Sequence, residues 1–205
     1  CCLEGVPCIP LHQKYLMEAV AKKKHYFIAL VPESPLRDTV DDFKREIKDR
    51  FGAAHALKSP AHITLQMPFH CLESEEHLLE KCLREFAARQ ASLRVHLNGF
   101  DCFAPRVIFV KVEDHLPLQQ LQYDLKEELV SRLGFPDPRP DPKFHPHMTI
   151  ATRDLNVSDF QGAWEAFQSR RFRASFHTHS LFLLKHNGKT WDLFMEFPFH
   201  GRPGA

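Results

Sequence analysis

The order of elements along this chain is written twice, and that repetition limits the folds open to it more than any single motif does. A strand-like run, "HYFIALVP", ends at Pro32. Apolar residues then recur at Leu36, Val40, Phe43, Ile47 and Phe51, the spacing of a helix face, until Gly52 stops them. "AHITLQMPF" is short, apolar and set between prolines, as a buried strand would be. Ser74 is placed to cap a helix carrying Leu78, Leu79, Cys82, Leu83 and Phe86 on one face. Leu93, Val95 and Leu97 alternate with polar residues and predict a half-exposed strand.

The second half repeats the sequence of events. "RVIFVKVE" predicts a strand, and Leu118, Leu121, Leu125, Leu129 and Leu133 a helix ending at Gly134, a position suited to a C′ glycine. The alternating prolines of "FPDPRPDPK" predict a stiff, extended loop. "FHPHMTIAT" then matches "AHITLQMPF", and Phe160, Ala163, Trp164 and Phe167 mark another helix. "HSLFLLKHNGKTWDLFMEF" predicts two strands around Asn187-Gly188, a type I′ hairpin signal. Neither half has enough strands to close a sheet alone. The expectation is therefore one α+β domain, bilobal, with pseudo-twofold-related β-α-β-α-β halves, mainly antiparallel sheets and a cleft between the lobes. Its boundaries are read as an N-terminal extension over 1–24, the domain over 25–199 with lobes of about 25–105 and 106–199, and a tail over 200–205.

Each half carries His-x-Thr at the same place in its series. Phe27 lies 35 residues before His62, and Ile108 lies 39 before His147. Residues two apart in a strand share a face, so His62 projects with Thr64, and His147 with Thr149. Fourteen histidines and six threonines in 205 residues give about 0.4 such spacings by chance, so one copy means little. Two copies at equivalent points of a repeated order mean more. A pseudo-twofold would bring two imidazoles and two hydroxyls to one cleft. One neutral imidazole can take a proton from a nucleophile while one imidazolium gives a proton to a leaving oxygen. The hydroxyls can hold the non-bridging oxygens of a phosphate between them.

In "HITL" at His62 and "HMTIA" at His147, within duplicated β-α-β halves, the chain resembles the two-histidine (2H) phosphoesterase superfamily, in particular the bacterial RNA 2′,3′-cyclic phosphodiesterases, also called 2′-5′ RNA ligases. The resemblance runs from about Tyr26 to Phe199. It implies an enzyme, localised to the cytoplasm, that opens a 2′,3′-cyclic phosphate to a 2′-phosphomonoester without a cofactor or metal, with reverse 2′-5′ ligation as a further activity. On that likeness His147 would activate water, His62 would protonate the departing 3′ oxygen, and Thr64 and Thr149 would hold the phosphate. Members of the branch often carry an arginine after the second motif. Arg153 stands near that place, one residue further on than the pattern has it. The substrate would be an RNA 3′ end or a small cyclic nucleotide, and the chain would act as a monomer.

Composition narrows the alternatives. A net charge of +1 gives no overall field to recruit nucleic acid or a membrane. No apolar stretch approaches the roughly 18 residues of a spanning helix. The opening residues lack the apolar core of a signal peptide, although a start at Cys1-Cys2 also suits a processed lipoprotein. The six cysteines show no paired framework and read as reduced thiols, consistent with an intracellular protein. Phe69 and Phe144 flank the motif strands as candidates to stack a base, or as core. Lys22-Lys23-Lys24 and the cluster at Arg170, Arg171 and Arg173 can meet a phosphate backbone or form a solvated face. "HPH" at His145–His147 and the pair His177 and His179 resemble the ligand pairs of metal hydrolases, but their nearest acids, Asp141 and Asp154, read as loop residues. Beside the phosphodiesterase stand two other readings: a nucleotide- or RNA-binding module that keeps the cleft without turnover, and a metal-dependent hydrolase built on the histidine pairs.

Overall fold

In the computed structural model, residues 22–113, 115–136 and 144–201 are described. The N-terminal cysteines (Cys1, Cys2 and Cys8), most of the expected extension, most of the proline-alternating loop including Asp141, and residues 202–205 lie outside them.

Among the described residues, eight strands form two antiparallel four-stranded sheets, accompanied by four α-helices. The strands are β1 (Lys23–Leu30), β2 (Ile63–Leu72), β3 (Leu93–Phe103), β4 (Val107–Val112), β5 (His147–Ala151), β6 (Arg173–Thr178), β7 (Ser180–His186) and β8 (Trp191–Pro198). The helices are α1 (Leu36–Phe51), α2 (Glu76–Arg89), α3 (His115–Leu133) and α4 (Val157–Gln168). The expected α+β class is therefore present.

Each helix forms where its apolar stripe predicts. Val40, Phe43 and Ile47 of α1 and Leu118, Leu121, Leu125 and Leu129 of α3 are buried in one core. Both helices end on a left-handed glycine. Gly52 has φ 73° and its N–H donates to the Lys48 carbonyl at 2.9 Å, while Gly134 has φ 64° and donates to Val130 at 3.1 Å. Ser74 does not cap α2. It sits within a 3-10 turn, Glu73–Glu75, so the helix starts one residue later than a Ser74 cap would start it, with Glu75 in the capping position.

The sheets run β2-β1-β7-β8 and β5-β4-β3-β6. The lobes are consequently not the two sequence halves. β3 leaves the first half to pair with β4 across a tight connection, and β7 and β8 return from the second half to complete the first sheet. A division near 105/106 falls inside the β3–β4 hairpin, because strands adjacent in sequence pair with one another. The exchange extends to the helices. α1 lies on β5 and α3 on β2, so each sheet is covered partly by the other half's helix. β1 also starts at Lys23, taking the last two residues of the expected extension into the sheet.

The β7–β8 connection differs in detail from a two-residue turn. His186 and Trp191 are cross-strand partners, leaving a four-residue loop whose Asn187 Oδ1 accepts the N–H groups of Lys189 and Thr190, both at 2.9 Å. Along β1, alternate residues divide between two environments. Tyr26, Ile28 and Leu30 enter the main core, whereas Phe27 and Ala29 join Leu184 on the opposite face. That opposite face belongs to the site.

Candidate active site

The two His-x-Thr strands, β2 and β5, come together across the sheets. Each histidine is fixed in the same way. His62 Nδ1 lies 2.7 Å from the carbonyl oxygen of Pro60, and His147 Nδ1 lies 2.7 Å from that of His145. A carbonyl oxygen can only accept, so Nδ1 carries the hydrogen in both rings. In the neutral ring the lone pair is then on Nε2. Among the described residues no hydrogen bond reaches either Nε2. A phenylalanine supports each ring: Phe27 against His62 and Phe109 against His147, with centroids 4.8 Å apart in both cases.

Both imidazoles favour their neutral form. Burial pushes His62 down to about 4, the Lys44 ammonium and His147 push the same way, and the bond to Pro60 opposes them. Burial also lowers His147, helped by His145 and opposed by the bond to the His145 carbonyl.

A cavity of about 160 Å³ opens beside His62, lined by His62, Thr64, Thr149, Arg153, Phe27 and Trp191 among others. The two threonines occupy matching places in their strand pairs, Thr64 opposite Ala29 and Thr149 opposite Phe109. Arg153 takes a left-handed conformation, φ 47°, which turns the chain just beyond β5. The next residue fastens that turn. Asp154 Oδ2 accepts the backbone N–H groups of Ala54 and His55, each at 2.8 Å, tying the end of β5 to the 3-10 turn His55–Lys58 on the other wall of the cavity.

A buried lysine sets the approach to His62. Lys44 is 1% exposed, and its Nζ donates to the Ser59 carbonyl at 2.9 Å while pairing with Asp41 at 2.7 Å. Ser59 immediately precedes the proline whose carbonyl holds His62. Burial lowers the Lys44 pKa, and the Asp41 carboxylate works against that shift.

The structure thus gathers His62, Thr64, Thr149 and Arg153 around one cavity. His147 opens β5 two residues before Thr149 and is not itself among the residues lining that cavity. The structure does not bring the other two flagged aromatics there. Phe69 stacks against Tyr26 and meets Phe135 at 4.8 Å in a separate depression, and Phe144 packs on the core. The aromatic neighbours of the site include Phe27, Phe103, Phe109 and Trp191, which sequence reading passed over. Phe27 and Phe109 had a signal, since each lies in the strand preceding its motif. Trp191 had none, because only the return of β8 brings it here.

The histidine pairs are also separated. The His145 and His147 rings lie 6.2 Å apart, while His177 and His179 stack on each other next to Arg94. Among the described residues no group of three or more His, Cys, Asp or Glu is arranged to hold a metal ion. No described helix is long and apolar enough to cross a membrane.

Two adjacent histidine-threonine strands facing a cavity, on duplicated antiparallel sheets, define a class: the chain belongs to the 2′-5′ RNA ligase superfamily of two-histidine phosphoesterases, whose family description matches residues 32–190. Among its relatives, a Geobacillus kaustophilus protein named "putative phosphoesterase" is 28% identical over 167 residues, which is 80% of this chain and 91% of that one. A Bacillus licheniformis protein of the same name is 29% identical over 176 residues, 84% and 96% of the two chains. Solved structures share the fold. TT0787 of Thermus thermophilus superposes with a TM-score of 0.62 at 21% identity, covering 87% of this chain and 99% of that one. Escherichia coli LigT in complex with 3′-AMP gives 0.64 at 16% identity with the same coverage.

Proposed function

We propose that this protein is a metal-independent phosphodiesterase that opens 2′,3′-cyclic phosphate ends of RNA, or of a related cyclic nucleotide, to 2′-phosphomonoesters. The observation that carries this reading is the matched anchoring of His62 and His147. Two imidazoles held by the same i−2 carbonyl bond, each with Nε2 left over, supply one base and one acid beside hydroxyls suited to a phosphate.

The role of each residue follows. His147 Nε2 takes a proton from water as the water oxygen forms its bond to phosphorus. The bond from phosphorus to O3′ breaks, and His62 Nε2 delivers its proton to that oxygen. Thr64 and Thr149 donate to the non-bridging oxygens. An RNA 5′-hydroxyl in place of water gives a 2′-5′ linkage by the same proton movements. The order of acid and base rests on the superfamily resemblance. On their own both rings favour the neutral form at pH 7, since both pKa values are lowered. An anionic phosphate between them favours the charged form of a neighbouring imidazole and so loads the acid. A nucleotide-sized ligand agrees with LigT, whose structures include complexes with 3′-AMP, ATP and NADP+.

The test is hydrolysis of nucleoside 2′,3′-cyclic phosphates in excess EDTA, with the product read by phosphorus NMR. Turnover with phosphate at the 2′ position is the expected result. Activity lost to chelator and restored by zinc or manganese would remove the mechanism, and a 3′-phosphate product would exchange the roles of the two histidines.

A further inference from the structure

The cleft face of the first sheet carries a row of rings that crosses all four strands. His70 of β2 and His25 of β1 are cross-strand partners, and their imidazoles stack with centroids 4.3 Å apart and planes within 4°. His186 of β7 and Trp191 of β8 are likewise partners, with rings 4.9 Å apart. His25 joins the two pairs, lying 5.0 Å from Trp191 and 6.3 Å from His186. Four strands at the usual spacing make this row about 14 Å long. Trp191 connects it to the site, since it lines the cavity and meets Phe27, which in turn lies against His62.

Neighbouring groups suit a polyanion. Lys23 shares the strand face of His25 and is exposed, and Arg153 is close enough to depress His25. Burial first, then His70, His186 and Arg153, lower the His25 pKa, so its ring is uncharged at neutral pH. Its stacked face is covered by His70, and the π face left to a base is the outer one of His70, which is exposed on the edge strand β2. The parallel stacking of His25 and His70 does not point their ring nitrogens at a common centre, and no metal-holding group occurs among the described residues.

We infer that this row is a stacking platform for the nucleobase next to the terminal nucleotide, making single-stranded RNA ends, rather than mononucleotides, the preferred substrate class. The inference rests on the phosphodiesterase reading for the terminal phosphate only. Single-stranded nucleic acid is bound by aromatic faces that accept any base together with cations along the backbone, and the row and its basic neighbours supply both.

The experiment compares two probes by calorimetry: a nucleoside 2′-phosphate and a pentaribonucleotide ending in the same 2′-phosphate. The wild-type protein should bind the pentamer about 5- to 150-fold more tightly, the range of one stacked base. His70→Ala combined with His186→Ala removes two rings that do not line the cavity. It should abolish that gain and leave the mononucleotide affinity as it was. A pentamer bound no better than the mononucleotide, or an advantage that survives the double substitution, overturns the platform, as does failure of both probes to bind. Turnover of the mononucleotide cyclic phosphate by the same preparation reads the catalytic assignment separately.

Discussion

The two motif strands are alike at the histidine and unlike one step away. Around His62 and His147 the i−2 carbonyl, the bond length and the supporting phenylalanine all match. The cross-strand partner of each threonine does not. Thr149 lies opposite Phe109, whose large ring also supports His147, whereas Thr64 lies opposite the small Ala29, and the ring supporting His62 comes from Phe27, two residues earlier in β1. Room is therefore left on the first sheet, and most of the cavity wall comes from that side. Duplication accounts for the matched anchoring of the two histidines. The departure from symmetry at Ala29 and Trp191 leaves the cavity on one side of the pair.

If the matched pair is the machinery, its removal has the largest effect. His62→Ala and His147→Ala should each reduce turnover about 10²- to 10⁴-fold, the usual contribution of a positioned acid or base. Steady-state kinetics of the two variants checks this, and a single variant near wild type would remove that histidine from the mechanism. Next come the hydroxyls. Thr64→Val or Thr149→Val keeps the volume and removes one bond to a charged phosphate, about 1.5–3 kcal/mol, so activity should fall roughly 10- to 150-fold with the melting temperature nearly unchanged. A change below about twofold in both would show that neither hydroxyl meets the phosphate.

Lys44 sharpens the comparison, because among the described residues it anchors the approach to His62 alone. Lys44→Met leaves the Ser59 carbonyl and Asp41 without their cation. It should destabilise the fold by about 3 kcal/mol, the lower end for breaking a buried pair. Activity should fall by less than the about 10²-fold that a full 1 Å misplacement costs. Chemical denaturation and kinetics together separate the two effects, and unaltered kcat at a temperature where the variant is folded would mean that the Ser59–Pro60 segment holds its place unaided.

Lys44 also shows where sequence reading stopped. It occupies the apolar spacing of α1 with Val40, Phe43 and Ile47, so its burial was written in the pattern, but a lysine in such a stripe is ordinarily solvated. Helix faces, glycine stops and the pairing of His62 with His147 were legible because each is set by local periodicity or by repetition. β6 was read only as the end of a basic cluster and one half of a histidine pair, not as a strand, since its residues pattern weakly at the sheet edge. The exchange of strands between lobes was not legible, because pairing partners far apart in sequence leave no local mark. For the same reason Asp154 read as a loop acid near a candidate metal pair, whereas it bridges the two walls of the cavity through backbone N–H groups a hundred residues away.

The depressed histidines fix a smaller effect on pH dependence. Catalysis needs one ring charged and one neutral. In the free protein both pKa values lie below 6.5, so kcat/KM should decline as pH rises through the upper of the two, below 6.5. In the complex the phosphate anion raises them, and the alkaline limb of kcat should sit at higher pH than that of kcat/KM. Coincident limbs would show that the anion does not load the acid.

The claim that the two histidines act as one unit on a single phosphate is tested most directly by the double variant His62→Ala/His147→Ala, measured for turnover of a nucleoside 2′,3′-cyclic phosphate beside both single variants. If both protons move in one transition state, the second substitution acts on a mechanism already broken, and the double variant should be clearly less impaired than the product of the single losses. A loss equal to that product would contradict the account and assign the two imidazoles to separate steps.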